Sequence, residues 1–544
     1  MNRYLSSATL ISFAYAAAMS ACLLSGCSKP TAVTTASHIP DRVTGAEDLG
    51  PLTGDQTLDL VIGLKLHDAD QISNNPVAIS PETFGDRFAP SANDYVRLRS
   101  FFIDRGLTIS RETSSRSSMS VQGSAHDVGL AFNTEIHLYQ KNGAQFFAPT
   151  REPIFDAQVA DLIVGVIGLD DAAPFRAFTH SPTPKPSQPH GFNEPQTPTD
   201  LQTLYNGTGV AEKGAGETVA ILGTGLPPDP QQDVAAYITK YFSGVVNQKA
   251  QYVQIFLGGQ NLDPPQFAQS EQIENILDVE MVMALAPATN IVQVLAATNA
   301  PGLFSDGVTY VINNLPQAHA VTVSYGICER YTASEILVLD QMFQQAKAQG
   351  QQWFFATGDN GTNDCQDGTG AQVIAVDWPA SSEYVIGVGG TALDADIGTE
   401  YAWGGAGGGG GGQSEIISKP AFQMGVGPYP NDGVRDLPDV AALAGSPCLD
   451  TTQGAAEGTS AATPMWAGVW VRLDQHLGGH GITNGAEVLY ATAKAHSNAF
   501  NDITVGENND GQSKLPGYQA QPGYDLATGW GSPNIANLLS QWGH

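Results

Sequence analysis

The stretch Gly458-Thr459-Ser460-Ala461-Ala462-Thr463-Pro464, continued by Met465-Trp466-Ala467-Gly468-Val469-Trp470, decides how the chain is read. Small residues ahead of Ser460 let the backbone bring a hydroxyl into the open, and an apolar helix starts directly behind it. A serine so placed sits in the positive field of a helix N-terminus, which favours the negative charge of an acyl-transfer intermediate. A helix-capping serine has the same local pattern, so the residues that could serve Ser460 have to separate the two readings.

A serine nucleophile needs a base. The chain has no Asp-Ser/Thr-Gly strand end and no His-Gly-Thr-His helix start. His319, His476, His480 and His496 lack a Gly-rich helix-start context and read as structural or surface residues. What stands upstream is Glu271-Gln-Ile-Glu274-Asn-Ile-Leu-Asp278-Val-Glu280-Met-Val-Met-Ala-Leu-Ala, with apolar positions at helical spacing. Glu274 and Asp278, four apart, share one helix face with Cβ atoms about 5–6 Å apart. Like charges so placed destabilise a plain helix, and burying both invites a shared proton. The alternative is a solvated face of ordinary carboxylates.

Strand-like runs at 218–222, 291–295, 320–324, 353–357 and 384–388 alternate with helical stretches from residue 197 to 544, which predicts an α/β domain with a mostly parallel sheet flanked by helices. Ahead of it, residues 179–196 hold the Pro-rich run Ser181-Pro-Thr-Pro-Lys-Pro-Ser-Gln-Pro189, an extended linker open to processing. Residues 55–178 form an earlier block: strands at 58–66, 119–123 and 135–140 and helices at 92–105 and 126–132 give a β-α-β-β-α-β-like order, an α+β ferredoxin-like sandwich. Residues 1–26 read as a secretory signal ending in Leu24-Ser25-Gly26-Cys27, which resembles the bacterial lipobox. Residues 27–54 then read as a polar, flexible tether behind a lipid-modified Cys27. No later apolar run is long enough for a second membrane span.

Of 544 residues, 24 are Lys or Arg and 54 are Asp or Glu, a formal net charge of −30. Such a surface repels phosphates and argues against a nucleic-acid partner. It also leaves few cations to repel one another once acid neutralises the carboxylates. The five cysteines leave Cys328, Cys365 and Cys448 in the exported body, enough for one disulfide; with no Cys-x-x-Cys pair, a structural zinc–thiolate site is not expected.

Taken in order, Glu274-x-x-x-Asp278 before Ala284-Leu-Ala-Pro287, Ser324-Tyr-Gly326, Ala356-Thr-Gly-Asp359-Asn-Gly361, Trp378-Pro-Ala-Ser381, Val388-Gly-Gly-Thr391, the glycine run from Gly404, Leu437-Pro-Asp-Val440 and Gly458-Thr-Ser460 resemble the sedolisin family of serine-carboxyl peptidases. The first block, with Ser80-Pro-Glu-Thr-Phe84, resembles that family's activation domain, so the likeness runs from about residue 55 to the C-terminus.

The resemblance implies an acid-acting, self-processing endopeptidase zymogen. Ser460 is the nucleophile, Glu274 the general base and acid, Asp278 the residue that orients and tunes it, and Asp359 an oxyanion donor. It implies one structural Ca2+, held by the side chains of Asp502 and Asp525 and the carbonyls of Ile503, Gln521 and Gly523. A Gly is usual where Gln521 stands. A Cys328–Cys365 disulfide is expected, because both cysteines follow motifs that converge on the active-site end.

The implied partners are protein or peptide substrates and the chain's own propeptide; the enzyme is expected to be a monomer, exported as a cell-envelope lipoprotein or released outside the cell. Acid release of the block is expected to act on interface carboxylates paired with Arg87, Arg97, Arg99 and Arg105. One departure stands out: the strand ending in Gly223-Thr-Gly225 lacks the acidic residue many members carry there. A peptidase-derived surface-binding lipoprotein and a retaining glycosidase built on the two carboxylates remain as other readings.

Overall fold

The computed structural model describes residues 38–53, 56–72, 77–178, 195–225, 229–242, 252–258, 269–331, 333–365, 372–394, 398–445 and 449–543. The lipobox with Cys27, most of the Pro-rich linker, Cys22 and Cys448 lie outside these residues.

The N-terminal block runs β1 (Glu47–Pro51), β2 (Thr57–Leu64), α1 (Pro81–Phe88), α2 (Ala92–Ile103), β3 (Thr108–Glu112), β4 (Ser118–Ser124), α3 (Ala125–Phe132), β5 (Ile136–Lys141), β6 (Ala144–Pro149) and β7 (Ile163–Ile167). Each helix starts on a serine, Ser80, Ser91 or Ser124, whose hydroxyl accepts the N–H three residues on. The main sheet is antiparallel in the order β3-β4-β2-β7. Leu58, Leu60, Ile62 and Leu64 of β2 pack under Leu98, Phe102 and Phe132. Val61 and Ile167 face the other way and pack with Phe304, Val308 and Leu339 of the C-terminal domain. The sheet is therefore sandwiched between its own helices and the larger domain.

Two expectations need correction. Strand β5 does not join this sheet: it pairs with β1 and β6 in a separate three-stranded sheet, and the fourth position goes to β7. Tyr139 and Phe146 carry their own small core with Ala172 there. The tether expected up to residue 54 already contains β1, paired antiparallel to β5. Its polar composition hid it, since backbone pairing leaves no hydrophobic pattern on a strand that is almost wholly exposed.

The C-terminal domain follows β8 (Arg176–Ala177) and α4 (Pro198–Leu204). Its elements include β9 (Thr218–Thr224), α5 (Pro230–Phe242), β10 (Tyr252–Leu257), α6 (Gln269–Leu285), β11 (Asn290–Ala296), α7 (Pro301–Asn314), β12 (Ala318–Val323), β13 (Tyr325–Cys328), α8 (Ala333–Ala348), β14 (Gln352–Ala356), β15 (Asp377–Trp378), β16 (Ile386–Asp394), β17 (Thr399–Ala402), β18 (Val440–Leu443), β19 (Leu449–Thr451), β20 (Gly454–Ala456) and α9 (Thr459–Leu477). One sheet runs β10-β11-β9-β12-β14-β16-β17, with β18 also on β16. All its pairings are parallel except β16 with β17. Strand β9 is buried along its whole length. Val219 and Ile221 face the layer of α5, α6 and α9, and Ala220 and Leu222 face α7 and α8. This is the predicted α/β architecture, preceded by the α+β block.

Cys328 and Cys365 form a disulfide, so the end of β13 is tied to the loop that follows Asp359. Among the described residues, no helix is long and apolar enough to cross a membrane.

Candidate active site

The carboxyl ends of β9, β12 and β14 open on the N-terminus of α9, the place where parallel sheets gather ligands. Helices α6 and α9 pack side by side on one face of the sheet. Gly458 caps α9 at φ 146°, a conformation L side chains rarely adopt, and Ser460 is the second helical residue. Pro464 sits inside the helix. It has no N–H to give the carbonyl four residues back, which is that of Ser460. Ser324 Oγ, at the end of β12, lies 3.1 Å from that carbonyl oxygen instead.

Ser324 Oγ also lies 2.6 Å from Asp278 Oδ1. A hydroxyl has one proton to donate, and the shorter contact takes it: Ser324 donates to Asp278 Oδ1. Burial pushes the Asp278 carboxyl up to about 8, against hydrogen bonds with Ser324 and Glu274. Glu274, Asp278 and Ser460 are fully buried. The two carboxylates are thus hydrogen-bonded on one face of α6, and a contact chain runs Glu274–Asp278–Ser324–Ser460.

Asp359 follows β14 and is buried. The Thr459 N–H and hydroxyl both donate to its Oδ1, at 2.7 and 2.8 Å. That leaves Oδ2 directed at Gly458. A Cβ placed on Gly458 would stand 2.1 Å from the Phe178 carbonyl oxygen, 2.8 Å from Asp359 Oδ2 and 3.1 Å from Ser460 Oγ. Nucleophile, carboxyl and a peptide carbonyl therefore surround one point that only glycine leaves open.

Phe178 belongs to the segment that leaves the N-terminal block. Strand β8 pairs antiparallel with β13, Ala177 opposite Tyr325 and Arg176 opposite Gly326, and the Phe178 N–H donates to the Ser324 carbonyl. The Phe178 ring lies on Gly326, where a Cβ would meet it at 2.7 Å. Arg176 donates to the Asp364 carbonyl and lies 3.7 Å from Asp377 Oδ2. Burial pushes Asp377 up to about 7; Arg176 pulls it down, and Glu329 and Asp359 push it further up.

The arginines expected at the interface sit elsewhere. Arg97 pairs with Asp94 and Asp161, Arg99 with Glu112 and Arg105 with Asp156, all inside the N-terminal block, while Arg87 lies over the Phe88 ring. Besides Arg176, Arg111 crosses to the larger domain, bidentate on Asp306 of α7 at 2.8 Å per contact. Helical spacing points these side chains at near neighbours on their own surface, whereas Arg111 lies on the sheet that faces the domain.

Sequence reading missed three contributors. Ser324 lay in the Ser-Tyr-Gly motif without an assigned task. Pro464 carries only a helix-start signal in the sequence. Asn275, beside Glu274, donates to the Thr224 and Gly225 carbonyls at the strand end that lacks an acidic residue.

The five residues expected to hold calcium lie in two loops near the C-terminus. Asp502 Oδ2 accepts the Gly523 N–H at 2.9 Å and Asp525 Oδ2 the Gln521 N–H at 2.8 Å, so both carboxylates close on the same 521–523 turn. Ile503 is buried beside them. Burial pushes Asp525 up to about 6, with no cationic side chain contributing. Carboxylate and carbonyl oxygens around a turn, with no lysine or arginine ion-paired to them among the described residues, fit a hard divalent ion.

A Ser hydroxyl at a helix N-terminus, backed by paired carboxylates in a subtilisin-like sheet, defines a serine-type peptidase. Residues 44–172 match the family described as the pro-kumamolisin activation domain. The chain is similar to kumamolisin from Bacillus sp. (strain MN-32), 29% identical over 93% of this chain and 95% of that one. It is also similar to sedolisin from Pseudomonas sp. (strain 101), 28% identical over 99% and 96%. The solved structure of Pseudomonas sedolisin, a serine-carboxyl proteinase complexed with two molecules of pseudo-iodotyrostatin, superposes with a TM-score of 0.56 at 27% identity, covering 64% of this chain and 98% of that one. These likenesses, over nearly the whole chain, are to serine-carboxyl peptidases of the sedolisin kind.

Proposed function

We propose that the chain is an exported endopeptidase zymogen that works in acid through an acyl-enzyme on Ser460. The observation that carries this reading is the convergence of Ser460, Asp359 and the Phe178 carbonyl on Gly458, backed by the Glu274–Asp278–Ser324 chain. Glu274 takes the Ser460 proton as Oγ attacks the substrate carbonyl, and later returns it to the leaving amine. Asp278, held as an acid by burial, orients Glu274. Protonated Asp359 donates to the developing oxyanion. A histidine base would already be charged below about pH 5, whereas a glutamate still exchanges protons there.

The N-terminal block is the inhibitor, and its exit segment lies along β13 in the manner of a substrate. Acid weakens this hold through Asp377. Arg176 favours the charged form of Asp377, so their attraction is present above about 7 and is lost as pH falls through it. Asp502, Asp525 and the carbonyls of Ile503, Gln521 and Gly523 would hold Ca2+, which ties the two C-terminal loops together. Export and anchoring through a lipidated Cys27 complete the reading. The test is hydrolysis of a denatured protein at pH 4 by the matured enzyme, by Ser460→Ala and by Glu274→Gln. Loss of turnover in both variants is expected, and retained turnover in Ser460→Ala contradicts the reading.

A further inference from the structure

We propose that Glu217, His319 and Asp474 form a binding site for one divalent ion of the Zn2+ class, at the end of the sheet opposite Ser460. Glu217 directly precedes β9, His319 is the second residue of β12 and Asp474 lies in the last turn of α9. His319 Nδ1 is 2.6 Å from Asp474 Oδ2 and 3.4 Å from Glu217 Oε2, and one ligand atom from each residue lies within 4.8 Å of the others. Around a tetrahedral zinc with bonds near 2.1 Å, ligand atoms stand about 3.4 Å apart. Side-chain adjustments of roughly an ångström convert the observed triangle into three corners of that tetrahedron.

Three further features point to a cation. The Glu217 and Asp474 carboxyl groups are in hydrogen-bond contact with each other, although Asp474 is 1% and Glu217 6% exposed. Two buried carboxyl groups in contact need a positive charge or a shared proton between them. Among the described residues, neither pairs with a lysine or arginine; the His319 ring is the one cationic group paired with them. With the imidazole protonated and both acids ionised, the trio keeps one negative charge, which a divalent ion bound to neutral His319 cancels.

The surroundings are those of a prepared site. Both Asp474 oxygens accept the Gly481 N–H, at 3.1 and 3.3 Å, which fixes the carboxylate. Gly479, at φ 73°, lies against Glu217, where a Cβ would stand 2.6 Å from Oε1. The His319 side chain is 16% exposed, which gives an entry path and a fourth position for water. One imidazole nitrogen with two carboxylates selects Zn2+ or Co2+ over Ca2+ or Mg2+, which take oxygen-only sets of higher coordination number. The bound ion would clamp the starts of β9 and β12 to the end of the helix that begins with Ser460.

The full-length protein is stripped of metal, saturated with Ca2+ at pH 7.5 and titrated with Zn2+ by calorimetry and with Co2+ by visible absorption. One equivalent is expected to bind, with a d–d spectrum of tetrahedral intensity and a higher Tm. His319→Ala and the conservative Glu217→Gln should each weaken binding at least about 100-fold. Absence of saturable uptake overturns the site. Unchanged uptake in either folded variant also overturns it, because the ion would then sit elsewhere, on the His476 and His480 side chains for instance.

Discussion

At the residue scale, the site turns on what Gly458 lacks. Any side chain there meets the Phe178 carbonyl at 2.1 Å and Asp359 Oδ2 at 2.8 Å, on a backbone with φ 146°. Gly458→Ala is expected to lower kcat/KM about 10³-fold or more at an unchanged fold, read by peptide hydrolysis and circular dichroism together. Wild-type rates in that variant would show that the three groups do not act at one point. Glu274→Gln should cost on the order of 10²- to 10⁴-fold, the usual range for a positioned base. The carboxylate pair was legible in the sequence because its four-residue spacing is a helical fact. Ser324 was not, since its contact with Asp278 depends on how deep α6 sits against β12, and no local pattern records that.

At the scale of elements, strand β8 lies antiparallel along β13 and Phe178 follows it to Gly458. The first cut is expected at the Phe178 carbonyl, which faces Gly458 together with Ser460 Oγ, so N-terminal sequencing of the earliest product in acid should read from Thr179. A first cut well inside the N-terminal block would separate the observed pose from the reactive one. The bidentate Arg111–Asp306 pair is half-buried and crosses between the two bodies. Asp306→Asn should weaken the hold of the block, worth about 1–3 kcal/mol for a charged hydrogen bond, and raise the pH at which activity first appears. The apolar contacts of Val61 and Ile167 do not titrate and remain. Strands such as β9 were readable because two buried faces leave a continuous apolar run. The partner of β5 was not, because a half-exposed strand carries no mark of which neighbour supplies its backbone bonds.

For the molecule as a whole, the buried acids set the response to pH. Burial pushes Asp278 and Glu280 up to about 8 and Glu329, Asp340 and Asp377 up to about 7. Each holds a proton when folded that it gives up when unfolded above about pH 4, so stability falls as pH rises from about 4 to 8. Thermal melts of the full chain carrying Ser460→Ala, which stays whole in acid, should therefore show a higher Tm at pH 5 than at pH 8, and the reverse order would contradict the buried, protonated state of these groups. Chelating calcium at pH 5 should lower Tm by a few degrees if Asp502 and Asp525 hold the ion. The central claim, that this chain cuts itself and its substrates through Ser460 in acid, is met most directly by holding purified full-length protein and Ser460→Ala at pH 4 and pH 7 and following mass. The wild type is expected to lose its N-terminal block at pH 4 and stay whole at pH 7, with Ser460→Ala whole at both. A Ser460→Ala protein that matures by itself at pH 4 would contradict the account.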